Sequence, residues 1–245
     1  MDLKIGDIQE TALITLAIRA SETDRPNARI KDLKAKEIID TLGVDVSKYD
    51  PFMSHEGVVA RTIMYKNQLE ALIRQYPDAL CINLGCGFDD KFVQVDNGEI
   101  AWYDVDLPDI LAVRRKIYHD RDRCVMKEGS ALESDWTVGL PKRSTTIVVM
   151  EGVLEYFTKD QVATCLNMLC NSFNHGQKHQ APRCGEVHQR PIPMGHQVGQ
   201  GISRFGATHE PCFRAQLQRR DAQILCPGKA FRILPAILEQ PPGGI

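Results

Sequence analysis

The chain has 245 residues, with 30 Lys and Arg against 32 Asp and Glu, and its formal net charge of −2 excludes nucleic-acid binding through bulk positive charge. A 43% hydrophobic and a 25% charged share are those of an ordinary globular protein, and no apolar run approaches the roughly 20 residues of a bilayer-spanning helix. The first ten residues carry acids where a signal peptide would be basic and then apolar. We therefore expect a soluble, cytoplasmic protein that binds neither nucleic acid nor membrane.

The near-neutral total charge is the sum of two unlike parts. Residues 1–174 carry 21 Lys/Arg and 28 Asp/Glu, a net charge of −7, whereas residues 175–245 carry the remaining nine and four, a net charge of +5. The second part also holds nine of the 18 glycines and eight of the 13 prolines. Such a change of composition within one chain predicts a boundary between two regions of different character.

The first region along the chain, residues 1–78, has the pattern of a helical cap. Residues 8–20 are apolar around most of a helical circumference, which suits a helix packed against other protein. Residues 35–42 place apolar side chains at i, i+3, i+4 and i+7, and residues 57–76 carry one apolar stripe until Pro77 breaks it. We predict three helices here.

From residue 79 to residue 176 the apolar period changes and predicts a core of alternating strands and helices. Four short apolar runs predict strands, at residues 80–84, 100–106, 124–131 and 145–150. Residues 107–118 and 158–173 have the stripe of amphipathic helices. Strands rich in Val and Ile that alternate with such helices favour an α/β fold, with a mostly parallel sheet covered on both faces.

The last region, residues 177–245, carries no pattern of this kind. Prolines interrupt every window long enough for a helix, and Pro235 lies inside the one apolar run, residues 230–238. We predict an irregular or disordered extension, or one that is read out of frame. Zinc binding is an alternative for four residues at C-x3-H and H-x2-C spacing, namely Cys184, His188, His209 and Cys212. The C-x2-C pairs typical of zinc sites are absent, so we predict no metal site.

Two glycines after the first predicted strand predict a ligand-binding loop. Gly85 and Gly87 permit a sharp turn and a close approach of a ligand, and ligands of open parallel sheets bind at the carboxyl ends of the strands. Asp90 takes the place of the third glycine of a dinucleotide fingerprint. With Asp89 beside it, the loop suits a cofactor that has an ammonium group and no phosphate. A tight turn without a ligand is the alternative.

Two acids close the second predicted strand, Asp104 and Asp106, and they follow the glycines by about 20 residues. An acid at that spacing can accept hydrogen bonds from the hydroxyls of a ribose. The alternative is that one of them caps the helix that begins near Leu107, which fits Asp106 best. The two roles are compatible with one another, since there are two acids.

Four segments, NLGCGFD, WYDVDLPD, EGSALESDW and VVMEGVLEYFTKDQV, resemble the leucine carboxyl methyltransferase family. They are most similar to its branch of S-adenosylmethionine-dependent O-methyltransferases of polyketide biosynthesis. The resemblance covers about residues 11–176 and leaves the C-terminal region unmatched. It implies a class I (Rossmann-like) methyltransferase fold with an N-terminal helical cap, an incomplete set of C-terminal strands, and S-adenosyl-L-methionine as the cofactor.

The resemblance implies cofactor-binding roles for seven residues, which are Arg61, Gly85, Gly87, Asp104, Asp106, Ala131 and Leu132. Arg61 would clamp the carboxylate of the cofactor with its planar guanidinium, unless it is a solvated helix arginine. The glycines would lie against the methionine portion, and Asp106, with Asp104, would hold the ribose. Ala131 and Leu132 stand where the family has an Asp-Leu pair at the adenine, so only backbone or apolar contact is implied.

Glu151, directly after the fourth predicted strand, resembles the acidic residue of the family that faces the cofactor and the acceptor, and it is the candidate catalytic residue. A glutamate that caps the next turn is the alternative. Lys66 and Glu155 depart from the pattern, which has an acid and an apolar residue at these positions. His55 and His119 are the only candidates for a general base in the matched region, and we expect both at the surface.

The implied reaction is methyl transfer to a carboxylate or hydroxyl of a small molecule or a peptide end. A carboxylate acceptor needs no general base, because it is ionised at neutral pH. Asn174-His175-Gly176 still fits the family, and the resemblance stops directly afterwards. The alternative is therefore a catalytically inactive cofactor-binding remnant, or a family member with a truncated or frameshifted end. The sequence predicts no particular oligomeric state.

Overall fold

The computed structural model describes residues 10–49, 52–173, 224–225 and 231–235. Three helices form the N-terminal cap, and they are α1 Glu10–Thr23, α2 Leu33–Leu42 and α3 Phe52–Gln75. Helix α2 begins where the Asp32 carboxylate accepts a hydrogen bond from the Ala35 amide, and it ends at Gly43, which has a φ of +61°. The three predicted helices are confirmed, and α3 begins five residues earlier than its apolar stripe.

The sheet contains six strands among the described residues, in the order β3-β2-β1-β4-β6-β5. The strands are β1 Leu80–Leu84, β2 Ala101–Asp106, β3 Cys124–Glu128, β4 Thr146–Met150, β5 Ile224–Leu225 and β6 Phe231–Pro235. Every pairing is parallel except that of β5 with β6. The prediction of a mostly parallel sheet is confirmed, and β1 lies between β2 and β4, where the direction of winding reverses.

Helices and apolar loops cover both faces of this sheet. Three helices connect or follow the strands, and they are α4 Lys91–Val95, α5 Pro108–Arg114 and α6 Lys159–Ser172. Alternate residues of β1 and β4 enter two different clusters: Ile147 packs with Trp102 and helix α3, whereas Val148 packs with Trp136 and helix α6. All residues of β1 and β4 are therefore buried, as a continuous run of Val, Ile and Leu predicts.

The C-terminal region departs from the prediction at two places. Strand β6 pairs in parallel with β4, from Thr146 opposite Phe231 to Met150 opposite Pro235, and β5 pairs with β6. These seven residues are strands, where the sequence predicts an irregular or disordered extension. Pro235 ends the strand, so its missing N–H does not interrupt the ladder. The four residues of the zinc alternative lie outside the described residues.

The cap packs directly on the loop that follows β1. An apolar cluster joins Leu16 of α1 and Ile38 of α2 to Phe88 of that loop and to Tyr118 beyond α5. The cap thus positions the edge of the sheet at which the candidate residues gather. Within the described ranges, no helix is both long and apolar enough to cross a membrane.

Candidate functional site

The loop after β1 requires both of its glycines. Gly85 has a φ of +73° and Gly87 a φ of +49°, values that other residues rarely adopt. A Cβ on Gly85 would also lie 2.2 Å from Cγ2 of Val153, the third residue after β4. The loops that follow the two central strands therefore touch at Gly85, at the carboxyl edge of the sheet where the sequence predicts a ligand.

Side chains that the sequence analysis did not single out hold this loop in place. Arg114 of α5 is 1% exposed and donates to the carbonyl oxygens of Gly87, at 2.8 Å, and of Asp89, at 2.7 Å. The carbonyl of Phe88 accepts from Arg19 of α1, at 3.0 Å, and from the Tyr118 hydroxyl, at 3.1 Å. A loop whose carbonyls are bonded in this way is rigid before any ligand arrives.

Asp104 lies beneath the loop and is enclosed by protein. It is 3% exposed, and its carboxylate accepts from Arg114 at 2.7 Å, Trp102 Nε1 at 2.9 Å and Asn83 Nδ2 at 3.0 Å. Asn83 also donates to Asp89 at 3.1 Å. These donors account for both carboxylate oxygens of Asp104, which supports the loop through Arg114.

Asp106 lies at the end of β2 and is only half-buried. Its Oδ2 accepts from the Gly87 amide and its Oδ1 from the Leu107 amide, both at 2.8 Å. Burial raises the pKa of Asp106, and the two amides oppose that shift. Leu107 is the N-cap residue of α5, so the alternative in which Asp106 caps this helix is wrong. Asp106 joins the second strand to the glycine loop.

Four charged side chains of alternating sign form a row at the same edge, which we call the rim row: Arg61, Glu151, Lys91 and Asp89. Nε of Arg61 lies 2.7 Å from Oε1 of Glu151, and Nζ of Lys91 lies 2.9 Å from Oε2 of the same carboxylate. Lys91 also pairs with Asp89. The four side chains are between 10% and 16% exposed, so the interpretation of Arg61 as a solvated helix arginine is wrong.

The contact between Arg61 and Glu151 is an ion pair without hydrogen-bond geometry. Nε of Arg61 is buried and has no hydrogen-bond partner among the described residues. The turn Leu154–Tyr156 after β4 has no side-chain cap, so Glu151 does not take the capping role offered as its alternative. Its carboxylate is held by the two cations instead.

Electrostatics keep the acids of the rim row ionised. Burial would raise the pKa of Glu151, but Lys91 and Arg61 outweigh it and the pKa lies below its usual value. The pKa of Asp89 is lowered in the same way, against burial, by Lys91 and Arg114. The pKa of Lys91 is raised, because its two carboxylate partners outweigh the effect of burial. Glu151, Asp89 and Lys91 are therefore charged at neutral pH.

Three members of the rim row, Asp89, Lys91 and Glu151, line a cavity that is open to solvent. Its walls also carry Arg19, Asp32, Thr62, Tyr65, Lys66 and Gln94. The Tyr65 hydroxyl donates to the carbonyl of Met150 at 3.1 Å, which ties α3 to the end of β4. The cavity thus lies between the cap and the carboxyl ends of the central strands.

Ala131 and Leu132 lie beyond the end of β3 and are half-buried against the cluster around Trp136. The Gly129 amide donates to the carbonyl of Asp106 at 2.9 Å, so this segment runs beside the end of β2. A Cβ on Gly129 would lie 2.5 Å from Trp136, which explains the glycine. The two residues implied at the adenine therefore follow the strand next to Asp106.

The two candidate histidines, His55 and His119, have different surroundings. His119 is exposed, as the sequence predicts. His55 is 1% exposed, and its Nε2 lies 2.8 Å from Oε2 of Glu22, so the prediction of a surface position is wrong for this residue. Neither histidine lines the cavity at the rim row.

A parallel sheet that reverses its winding at β1, helices on both of its faces, and a glycine loop tied to an acid at the end of β2 define a class I (Rossmann-like) methyltransferase fold. The model of one family within that class, described as leucine carboxyl methyltransferase, matches residues 12–170. The chain belongs to this family. The predicted family is thus confirmed, and with it the predicted cofactor, S-adenosyl-L-methionine.

Two relatives align with the matched region. The tetracenomycin polyketide synthesis O-methyltransferase TcmP of Streptomyces glaucescens is 28% identical over 156 residues, which are 63% of this chain and 58% of that protein. The S-adenosyl-L-methionine-dependent methyltransferase dpfgK of Gibberella zeae is 24% identical over 182 residues, 67% of this chain and 61% of that protein. The predicted likeness to polyketide O-methyltransferases is confirmed, and the chain spans less than two thirds of the length of these relatives.

A solved structure of human N-acetylserotonin methyltransferase in complex with SAM is similar at 12% identity. The likeness covers 55% of this chain and 40% of that one, with a TM-score of 0.36. At that score it adds no argument to those from the sheet and the family.

Proposed function

We propose that the chain is an S-adenosylmethionine-dependent O-methyltransferase, and that its acceptor is a carboxylate or hydroxyl of a small molecule or a peptide end. One observation carries the proposal. The glycine loop, the Asp106 carboxylate bonded to the Gly87 amide, and the ion pair of Arg61 with Glu151 all lie at the carboxyl edge of the central strands. Each is of the residue type that the family resemblance implies at its position.

The charges at this edge suit the cofactor. S-adenosylmethionine carries a sulfonium, an ammonium and a carboxylate, and it has no phosphate. Three carboxylates near the loop, those of Asp89, Asp106 and Glu151, would repel a phosphate and would tolerate the two cationic groups. Gly85 has no Cβ, and Val153 fills the space that a Cβ would take, so the loops after β1 and β4 pack together beside the proposed cofactor site.

We assign the cofactor-binding roles as follows. Arg61 would bind the carboxylate, Gly85 and Gly87 the methionine portion, and Asp106 the ribose. Ala131 and Leu132 would contact the adenine through apolar or backbone groups. Asp104 supports Arg114 and the loop, because its oxygens already accept hydrogen bonds from protein.

The cofactor, when bound, supplies an activated methyl group, and the protein supplies alignment and exclusion of water. Glu151 has a lowered pKa and is held by two cations, so it is a weak base. Among the described residues, no histidine lines the cavity and could act as the base in place of Glu151. A carboxylate acceptor, which arrives ionised, is therefore favoured over a phenol or an alcohol.

A second candidate is a cofactor-binding protein without turnover, the product of a truncated or frameshifted family member. It is favoured by the extent of the family match, which ends at residue 170, and by the short strand β6, which comes from residues outside that match. Translation of the coding nucleotides after codon 176 in the other two frames tests the frameshift. If neither frame restores alternating strand and helix patterns, that origin is excluded.

Calorimetric titration with S-adenosylmethionine, beside a methyl-transfer assay on a panel of carboxylic acids and phenols, tests the proposal. Binding with turnover on a carboxylic acid supports it, binding without turnover supports the second candidate, and no binding overturns both. Arg61→Met should weaken cofactor binding about tenfold or more, since a charged hydrogen-bond partner is lost. The control is Arg74→Met on the same helix, whose side chain is 72% exposed.

A further inference from the structure

Lys91 is a buried lysine that the family resemblance assigns no role. It is the first residue of α4, its side chain is 10% exposed, and its Nζ lies between the carboxylates of Glu151 and Asp89. The same Nζ lies 5.7 Å from the centre of the Tyr65 ring. A lysine is rarely buried unless its charge is paired, and here one ammonium is shared by two acids.

These two acids belong to the loops of the two central strands. Asp89 follows β1 and Glu151 follows β4, and the sheet reverses its winding between these strands. Lys91 therefore joins the two loops by charge, close to the point where Gly85 and Val153 touch. Among the described ion pairs, only Lys91 contacts both carboxylates.

The charge of Lys91 also affects Arg61 through Glu151. One Glu151 oxygen faces Lys91 and the other faces Arg61, whose Nε has no hydrogen-bond partner among the described residues. If Lys91 were neutral, Glu151 would have a single cation partner. Both of its oxygens could then turn to the guanidinium and form the two parallel hydrogen bonds that arginine favours.

We propose that Lys91 is a positioning residue that keeps Arg61 available to the cofactor by holding Glu151 away from a two-oxygen pairing with the guanidinium. This inference rests on the proposed function. Lys91 does not touch the reacting atoms in this scheme. It acts through Glu151. Its removal should therefore weaken cofactor binding more than it lowers the rate of methyl transfer in the bound complex.

The other charged groups around Lys91 do not replace it. Arg19 and Asp32 face the same cavity from the cap, but they pair with each other at 2.9 Å. Lys66 of α3 lines the cavity, and its described ion pair is with Glu70 at 3.9 Å. Burial raises the pKa of Tyr65, which stays neutral.

The test compares Lys91→Met with Lys91→Arg, which keeps the charge, and with Lys36→Met, which removes a lysine of α2 that pairs with two acids away from the cavity. At pH 7 we expect Lys91→Met to raise the Kd for S-adenosylmethionine about tenfold or more, a typical coupling between neighbouring groups. Single-turnover methyl transfer at saturating cofactor should change less than the Kd. Lys91→Arg should restore most of the affinity, and Lys36→Met should leave it at the wild-type value.

A second readout needs no cofactor. The lowered pKa values of Glu151 and Asp89 stabilise the fold at pH values above the pKa of an unfolded carboxylate, and this stability is lost as the pH falls through the folded values. The difference in Tm between wild type and Lys91→Met should therefore be largest at pH 7 and shrink as the pH falls below about 4, near the pKa of an unfolded carboxylate. A side chain that only filled space would give the same difference at every pH.

The outcomes separate the two proposals. A wild-type chain that does not bind S-adenosylmethionine overturns the proposed function and this inference together. Wild-type binding with an equally tight Lys91→Met variant overturns the role of Lys91 alone, as does a Tm difference that is independent of pH. If Lys91→Met does not fold, Lys91→Gln, which keeps a hydrogen-bond donor without the charge, takes its place with the same expected direction.

Discussion

Two clusters of buried charge contact the glycine loop, and they differ in how completely protein encloses them. Arg114 and Asp104, beneath the loop, have side chains that are 1% and 4% exposed, and both carboxylate oxygens of Asp104 accept hydrogen bonds from protein groups. In the rim row the side chains are between 10% and 16% exposed, and three of them line a cavity. Full enclosure holds the loop in place, whereas partial enclosure leaves the rim row able to meet a ligand.

The two clusters are joined by one amide. Nδ2 of Asn83 donates to Asp104 in the first cluster and to Asp89 in the second. Single substitutions, each removing a charge from only one cluster, should show which cluster stabilises the fold and which one binds the cofactor. The following predictions run from the largest expected effect to the smallest.

Removal of Arg114 should cost the fold most. Arg114→Met leaves the Asp104 carboxylate buried without a cation, which costs about 3–5 kcal/mol of unfolding free energy. Urea unfolding measures it, with Arg115→Met as the matched control. The Arg115 side chain is 44% exposed and pairs with Glu128 at the surface, so its loss should cost under about 1 kcal/mol. Equal losses for the two variants would contradict a structural role for the enclosed cluster.

Gly85→Ala should rank second. A left-handed backbone costs alanine about 1–2 kcal/mol, and the close approach of Val153 adds overpacking, for a total loss of about 2–4 kcal/mol. Gly98→Ala is the control, because Gly98 has a φ of +88° and open space around it, so only the backbone cost applies. Thermal unfolding of both variants measures how much more stability Gly85→Ala loses than Gly98→Ala. Equal losses would show that Val153 moves away without cost.

Asp106→Asn and Asp104→Asn should have different effects, one on cofactor binding and the other on stability. We expect Asp106→Asn to weaken S-adenosylmethionine binding by about tenfold, or about 1.4 kcal/mol. It should leave stability nearly unchanged, because burial raises the pKa of Asp106 and its charge is itself unfavourable there. Asp104→Asn should lower stability instead, since Arg114 loses its partner. Calorimetric titration and urea unfolding of each variant measure both quantities, and a reversed pattern would contradict the assignment.

The smallest effect is expected at the surface. Lys34 and Glu37 pair at 2.6 Å on α2, with side chains 30% and 51% exposed. Lys34→Met should change the unfolding free energy by under about 0.5 kcal/mol, and added salt should reduce the change further. Urea unfolding at low and high ionic strength measures this change. A larger loss would show that the distance between the charges, and not their burial, determines how much an ion pair stabilises this fold.

The strands and the glycine loop were predictable because their signals are local. Residues 80–84 and 145–150 are short, mostly apolar runs, and Gly85 and Gly87 follow the first of them directly. Lys91 and Arg114 were not predictable, because each is a charged residue within a helical stretch, where most such residues are solvated. Their burial depends on loops and helices that come together only in the folded chain.

Three other positions show the same limit. Asp104 and Asp106 lie on the same face of β2, and their roles differ only because Asp104 is buried and Asp106 is half-buried. The sequence does not show that difference in burial. His55 meets Glu22, which lies 33 positions earlier, and no local pattern indicates that pairing. Strand β6 was missed because a short apolar run that contains a proline predicts no strand, and because its partner β4 is distant in sequence.

The register of β6 also bears on the order in which the sheet folds. Leu80 pairs with Ala101, 21 positions away, whereas Thr146 pairs with Phe231, 85 positions away. Two doublings in length of the chain between partners add about 1.2 kcal/mol of closure entropy. The β1–β2 pair can therefore form early and serve as a template, and β6 docks on a sheet edge that already exists. Between those events the β4 edge presents unpaired amides and carbonyls, so β4 is the strand most open to pairing between chains during refolding.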